Sequence, residues 1–232
     1  EVARRDPGPL RIGLLADSVR AAVPIDPEVA AAVRAVGERL ESLGHDVSEA
    51  SPAALHDQDL IRETQTQWAA GVAESIDTFG EWIGRELTAD DVEPFTWFLA
   101  QRGRDTSAVE TARGADRSMV FRRRMAEWWA EGYDLLLAPT CLQAAPLLGQ
   151  MSGTPEIPYA GVEVTLAYST LTAPFNTTGQ PAISLPLART TSGLPIGIQF
   201  VADYGLDHRL LQLGHQLEQE YRWADERSPL HP

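Results

Sequence analysis

The first fifty residues combine a short apolar run with a helical repeat. The run from Leu10 to Asp17 is mostly apolar, which predicts a short buried strand. Asp26 can cap a helix, Pro27 fits its first position, and Gly44 suits its end. Between them, apolar residues recur at spacings of three and four and share one helix face: Val29, Val33, Val36, Leu40 and Leu43. Because His45 to Ala50 begins the next extended segment, the order strand, helix, strand predicts a βαβ unit with parallel strands.

From about residue 57 to 132 the strand pattern stops and helical spacing replaces it. Two groups of apolar residues occupy this region: Trp68, Val72, Ile76 and Phe79, followed by Trp82, Leu87, Phe95, Trp97, Phe98 and Leu99. Ser107 and Glu110 have the spacing of a capping box, and a long helix can run from them to Gly132. The pattern therefore predicts a helical layer, about 57–132, inserted between two parts of a sheet.

Strand patterns return in the last hundred residues. Tyr133 to Thr140 predicts a buried strand, and the Pro- and Gly-rich segment from Cys141 to Gly161 predicts a loop. Ala182 to Leu187 and Leu194 to Val201 are joined by a short turn, which predicts an antiparallel hairpin. Parallel and antiparallel pairings together predict an α/β fold in which a mixed β-sheet is flanked by helices.

Two local features precede and follow the hairpin. Pro174 and Pro181 bracket a polar segment in which Gly179 permits a turn, so we expect a rigid loop there. Asp207 is expected to cap the last helix, whose apolar face would be Leu210, Gly214, Leu217 and Tyr221. Loops at strand ends are common ligand-binding positions.

Composition and charge exclude several classes of binding partner. The 232 residues are 44% hydrophobic and carry a net charge of −14. That charge disfavours nucleic acid and anionic membranes, since both are polyanions. No apolar run approaches the ~20 residues of a membrane span. Cys141 is the single cysteine, which excludes an internal disulfide and favours a reducing, cytoplasmic setting. Composition leaves homo-oligomerisation open.

The chain lacks the familiar motifs of self-contained catalysis. The patterns G-x-S-x-G, G-x-x-x-x-G-K-[ST], H-E-x-x-H, C-x-x-C and G-x-G-x-x-G do not occur, so no cofactor is predicted. His208 and His215 are seven residues apart rather than four, so no metal site is predicted either. Cys141 follows a predicted strand and could be a nucleophile, a residue that lines a pocket, or a packing residue. These alternatives remain open at this point.

Several motifs resemble the C-terminal half of amidase signature hydrolases. They are "DLLLAPT", "LTAPFNTTGQPAISLPLA" and "GLPIGIQFVADYGLDHRLLQLGHQLEQ". The opening "LRIGLLADS" and the segment "IDPEVAAAVRAVGERLESLGHDVSEASP" are similar to the part that follows the family's catalytic region. The resemblance covers most of the chain and is weakest through the helical layer. It implies that residues 1–232 are the C-terminal part of a single amidase domain, whose other half packs closely against the motif's small residues.

The resemblance implies a chemistry that this chain does not carry alone. Enzymes of the family cleave amides through an acyl-serine with a Ser–Ser–Lys triad, without metal or cofactor. All 19 basic residues here are arginine, which does not lose its proton and cannot replace the lysine base. The resemblance thus implies no catalytic residue in this chain, and two partners: a small-molecule amide substrate and the N-terminal half of the amidase. The alternatives are a non-catalytic amidase-like binding or scaffold module, and an independent thiol amidase using Cys141.

The resemblance also implies positions of substrate contact. In the family, the loop after the strand that matches residues 133–140 approaches the substrate, as does the stretch before a Pro-x-Asn motif. The corresponding residues are Thr140, Cys141, Gln143, Tyr168, Ser169, Thr170 and Asn176. In the glutamyl-tRNA amidotransferase A subunit, an acidic residue near the position of Ser169 holds the substrate's amino group. Because serine cannot hold an ammonium as a carboxylate can, we expect a neutral or apolar amide substrate instead.

Overall fold

The computed structural model describes residues 2–225. Within them, five strands form one mixed sheet in the order β2-β1-β3-β5-β4. The strands are β1 (Arg11–Leu14), β2 (Asp46–Glu49), β3 (Leu135–Pro139), β4 (Ala182–Arg189) and β5 (Pro195–Ala202). β1 pairs in parallel with β2 and β3, whereas β5 pairs antiparallel with β3 and β4. The predicted α/β class, the parallel βαβ unit and the hairpin are confirmed.

Helices cover both faces of this sheet. They are α1 (Pro27–Ser42), α2 (Gln58–Ile83), α3 (Pro94–Arg104), α4 (Ala108–Ala130), α5 (Val162–Ser169), α6 (Ala173–Thr178) and α7 (Asp207–Tyr221). α1 is the crossover helix between β1 and β2, and it begins as predicted: Asp26 accepts a hydrogen bond of 2.8 Å from the backbone N–H of Glu28.

The sheet separates two hydrophobic cores because side chains alternate along each strand. On β3, Leu135 and Leu137 face the core formed with α1 and α7. Leu136 and Ala138 face the opposite core, which contains α4, α5 and α6. All four side chains are fully buried. This two-sided burial explains why β3 is almost continuously apolar in sequence.

The predicted helical layer consists of α2, α3 and α4. Its capping box is confirmed at the start of α4, where the backbone N–H of Ser107 donates to Glu110 over 2.9 Å and the backbone N–H of Glu110 donates to the Ser107 hydroxyl over 3.2 Å. α2 and α3 cross closely, since a Cβ atom on Gly103 would lie 2.1 Å from the carbonyl oxygen of Ala69. Only glycine fits that contact.

Two local predictions were wrong, and a third element differs only in its bounds. The segment after Pro174 is the short helix α6 rather than a loop, because proline is tolerated in the first turn of a helix. Gly179 ends α6 with a φ of +74°, so its expected turn does occur. Asp207 is the first residue of α7 and makes no side-chain capping bond, and Leu206 occupies the cap position. The strand predicted from Leu10 to Asp17 is shorter, spanning Arg11–Leu14.

Candidate functional site

The carboxyl end of β3 joins the loop predicted to contact the substrate. The backbone N–H of Thr140 donates to the carbonyl of Gly197 over 2.9 Å, which holds the last residue before the loop against β5. Leu142 is fully buried, and its N–H donates to the carbonyl of Ala167 over 2.8 Å. Its carbonyl accepts from the N–H of Asp26 over 2.8 Å. The start of the loop is therefore fixed between α5 and the N-terminus of α1.

Cys141 lies in this fixed segment beside α5. Its Sγ atom is 3.9 Å from the carbonyl oxygen of Tyr168, and the hydroxyl of Tyr168 donates to the carbonyl of Ala144 over 2.6 Å. Burial raises the pKa of the half-buried Cys141 thiol. Burial also raises the pKa of Tyr168, and the nearby Cys141 adds to that effect. Because the thiolate is the nucleophilic form, a thiol held protonated disfavours the nucleophile interpretation of Cys141.

Ser169 and Thr170 lie at the C-terminal end of α5 and are half-buried. The Ser169 hydroxyl donates to the carbonyl of Thr165 over 3.1 Å, and the Thr170 hydroxyl donates to the carbonyl of Leu166 over 2.6 Å. Both hydroxyl protons are thus used within the helix. Thr140 and Cys141 follow β3, whereas Tyr168, Ser169 and Thr170 lie in or next to the last turn of α5, and Cys141 joins the two groups through its contact with Tyr168. We call these five residues the predicted wall; none of them carries a formal charge at neutral pH.

The other two predicted site residues are exposed. Gln143 is exposed in the loop, and Asn176 is exposed on α6. α6 is tied to α4 instead, because the Nε of Arg122 donates to the carbonyl of Thr177 over 2.7 Å. Five of the seven predicted residues thus lie at the end of β3 or at the end of α5, and Gln143 and Asn176 are the two exposed ones.

Sequence reasoning missed a pair of hydroxyls next to the wall. The Thr140 and Ser184 hydroxyl oxygens are 2.6 Å apart. A Cβ atom on Gly197 would lie 2.9 Å from Ser184 Oγ and 3.0 Å from Thr140 Oγ1, so the absence of a side chain there leaves room for the pair. The short polar interruptions of apolar strands, Ser184 in β4 and Gly197 in β5, were the available signal.

Gln199 was also missed. It is buried on β5, and its side-chain amide donates to the carbonyl of Leu171 over 2.9 Å. This bond connects the hairpin to the chain just after α5, so it positions the predicted pocket wall against the sheet. A glutamine inside the apolar run of β5 was the available signal.

The described chain shows no second site that could replace the predicted substrate pocket. A groove of about 630 Å³ lies between α2 and α4 and contains both charge signs, including an ion pair of 2.9 Å between Arg117 and Glu63. It shares no residue with the predicted pocket. Within residues 2–225, no group of three or more His, Cys, Asp or Glu side chains is placed to hold a metal ion. None of the helices in that range combines the length and apolar character that crossing a bilayer requires.

Comparison with known proteins extends these observations. The family model described as amidase matches residues 1–211. The 6-aminohexanoate-cyclic-dimer hydrolase of Pseudomonas sp. (strain NK87) is 37% identical over 230 residues, which are 97% of this chain and 47% of that protein. The corresponding hydrolase of Paenarthrobacter ureafaciens is 36% identical over the same shares of both chains. A putative amidase AmiC of Mycobacterium leprae is 30% identical over 93% of this chain and 44% of that protein.

Solved structures agree with the sequence comparison. A structure of 6-aminohexanoate cyclic dimer hydrolase complexed with substrate superposes with a TM-score of 0.92 at 36% identity, covering 99% of this chain and 49% of that one. A bacterial aryl acylamidase of the amidase signature family has a TM-score of 0.71 at 17% identity, which shows a shared fold. The chain spans about half the length of the curated relatives it matches. By sequence and by fold, the chain belongs to the amidase signature family.

Proposed function

We propose that this chain is the C-terminal part of a single amidase domain, and that the complete protein hydrolyses a carboxamide C–N bond through an acyl-serine. Family membership and the half-length match to the relatives support this proposal. Residues 1–232 supply much of the sheet and one wall of the pocket. The Ser–Ser–Lys triad belongs to the other half, since no lysine is present here to act as the base. The reaction needs no metal or cofactor, and the isolated chain is inactive.

The N-terminal half is the first partner in this proposal. β4 lies at an edge of the sheet, and its residues Ala182, Ser184 and Pro186 are exposed. An exposed strand edge favours pairing or coverage by another segment. Contact there would bring the triad to the same sheet edge as the Thr140–Ser184 hydroxyl pair.

The substrate class follows from the chemistry of the predicted wall at the end of β3. Thr140, Cys141, Tyr168, Ser169 and Thr170 present hydroxyl, thiol and apolar groups with no ionised side chain. Such a surface suits a neutral amide better than a charged one. Gln143 and Asn176 would complete the pocket from its rim.

The substrate named for the two 6-aminohexanoate-cyclic-dimer hydrolases is also uncharged. In a cyclic dimer of 6-aminohexanoate, the amino and carboxyl groups are joined as two amides, so the molecule carries no charge. We propose a neutral amide of this class, cyclic or linear, as the substrate of the complete protein.

The test is Ser169→Asp in the complete protein, with Ser192→Asp in the exposed hairpin turn as the matched control. Both variants add one carboxylate. An unpaired charge in the pocket costs at least ~1.4 kcal/mol, so kcat/KM for a neutral amide should fall about tenfold or more in the first variant alone. A cationic amide should lose less activity. Equal kinetics of Ser169→Asp and wild type on both amides would contradict the pocket assignment.

The scaffold alternative is tested with the same protein. Complete protein that binds a neutral amide yet shows no turnover would establish a non-catalytic module. Turnover that survives alkylation of Cys141 would exclude the thiol mechanism, because a blocked thiol cannot attack.

A further inference from the structure

The predicted wall contains four hydroxyl groups, and three of them have no proton left for a ligand. The Tyr168 hydroxyl donates to a backbone carbonyl in the loop after β3. The hydroxyls of Ser169 and Thr170 donate to carbonyls one turn earlier in α5. Because a hydroxyl group carries one proton, these three groups can only accept further hydrogen bonds. The fourth hydroxyl is that of Thr140, whose oxygen lies 2.6 Å from Ser184 Oγ.

The Thr140–Ser184 pair, in contrast, keeps a proton that it can donate. Two hydroxyl groups hold two protons, and the bond between them uses one. Neither hydroxyl has another hydrogen-bond partner among the residues that the structure describes. Ser184 is exposed and Thr140 is half-buried, so Ser184 is the residue placed to donate outward while it accepts from Thr140.

The position of the pair connects it to both segments of the predicted wall. Thr140 directly follows β3 and precedes Cys141. Ser184 on β4 is the register partner of Gln199 on β5, so the two side chains lie on the same face of the sheet. Gln199 donates to the carbonyl of Leu171, just beyond the end of α5. The spare donor is therefore next to the end of β3 and close to the bond that holds the end of α5.

We propose that Ser184, oriented by Thr140, donates a hydrogen bond to a carbonyl oxygen of the bound amide. This inference rests on the proposed function, because it assigns a donor to the proposed substrate. A neutral amide presents a carbonyl acceptor, and a pocket without charged groups uses a few placed polar groups to orient its ligand. The other hydroxyls of the predicted wall cannot meet that acceptor, since their protons are used within the protein.

The test measures kcat and KM of the complete protein on two neutral probes, the cyclic dimer of 6-aminohexanoate and hexanoyl p-nitroanilide. In Ser184→Ala, kcat/KM should fall about 3- to 10-fold, mainly through KM, because the bond forms when the substrate binds. Ser184→Thr keeps the hydroxyl and should stay within about twofold of wild type. Ser192→Ala is the matched control: it breaks a hydroxyl pair of 2.9 Å with Thr190 in the hairpin turn and should leave both constants unchanged.

Thr140→Val tests the order within the pair. It leaves Ser184 able to donate but no longer oriented, so its loss in kcat/KM should be smaller than that of Ser184→Ala. The double variant should lose no more than Ser184→Ala alone, because Thr140 acts only through Ser184.

Two kinetic results would overturn the proposal: wild-type constants for Ser184→Ala, or a larger loss for Thr140→Val. A Ser184→Ala protein with a lower Tm but a wild-type KM would also overturn it, since the spare proton would then bond the other half of the protein rather than the substrate. A wild-type protein that turns over neither probe would instead refute the proposed function, and this inference with it.

Discussion

His45 provides a test of how the sheet is joined to α7. The ring is buried, with 6% of its surface exposed. Its Nδ1 accepts the backbone N–H of Leu10 over 3.2 Å, and its Nε2 is 3.0 Å from Oε1 of Gln216 on α7. Because Nδ1 is the acceptor, the proton must lie on Nε2, which donates to Gln216. One side chain therefore links the segment before β1, the start of β2 and α7.

His45→Phe removes both bonds and keeps a ring of similar shape. The N–H of Leu10 is left without its partner in a buried position, which costs about 1–3 kcal/mol, whereas the half-buried Gln216 can turn to water at a smaller cost. We expect a loss of about 2 kcal/mol, which lowers Tm by roughly 4–8 °C at this chain length.

Two further variants separate the bonds. The side-chain oxygen of His45→Asn can replace Nδ1, and the amide nitrogen of His45→Gln can replace Nε2. His45→Asn should therefore be the more stable of the two, since it preserves the bond to the buried N–H. Denaturant unfolding of the three variants gives the order. A His45→Phe protein as stable as wild type, or identical losses for Asn and Gln, would refute this reasoning.

Four further predictions follow from other contacts described above. The pH–rate profile for alkylation of Cys141 in the folded protein should have its midpoint at a higher pH than that of the unfolded chain, because burial raises the pKa of the thiol; a midpoint at or below that of the unfolded chain would contradict this. The N–H of Leu60 and the Arg124 guanidinium lower the pKa of Asp57 below 3.8 in the folded protein. Wild type should therefore have a higher Tm than Asp57→Asn at neutral pH, and this difference should vanish as the pH falls through the folded pKa of Asp57. A difference in Tm that stays constant with pH would contradict this. Gly197→Ala should cost about 1 kcal/mol by separating Thr140 from Ser184, and less in a Ser184→Ala background, as measured by denaturant unfolding; an equal cost in both would disprove the steric cause. Recombinant residues 1–232 should show no amide turnover above background. Light scattering should detect their association through the open edge of β4, so a monodisperse monomer that hydrolyses amides would contradict both predictions.

The candidate site could be predicted only in part. Thr140 to Gln143 and Tyr168 to Thr170 were predicted from a family resemblance, and their role in binding stays a prediction; in the structure Cys141 contacts Tyr168. Ser184 and Gln199 were missed because each acts through a partner far away in sequence: Ser184 bonds Thr140, 44 residues away, and Gln199 bonds the carbonyl of Leu171, 28 residues away. Single polar residues in apolar strands signal such contacts without identifying the partner.

The sequence by itself determined the elements whose causes are local. Apolar spacing and the Asp26 cap specify α1, the capping box at Ser107 starts α4, and a short turn between two apolar runs makes the β4–β5 hairpin. Each of these elements depends on residues within a few positions of one another, so the sequence alone predicts that it forms. Only the tertiary structure decided which apolar face of α2 is buried, since Ile76 and Phe79 share the same helical repeat. It also decided that Pro174 lies in the first turn of a helix, because burial of Phe175 against distant side chains outweighs the turn-forming preferences of its neighbours.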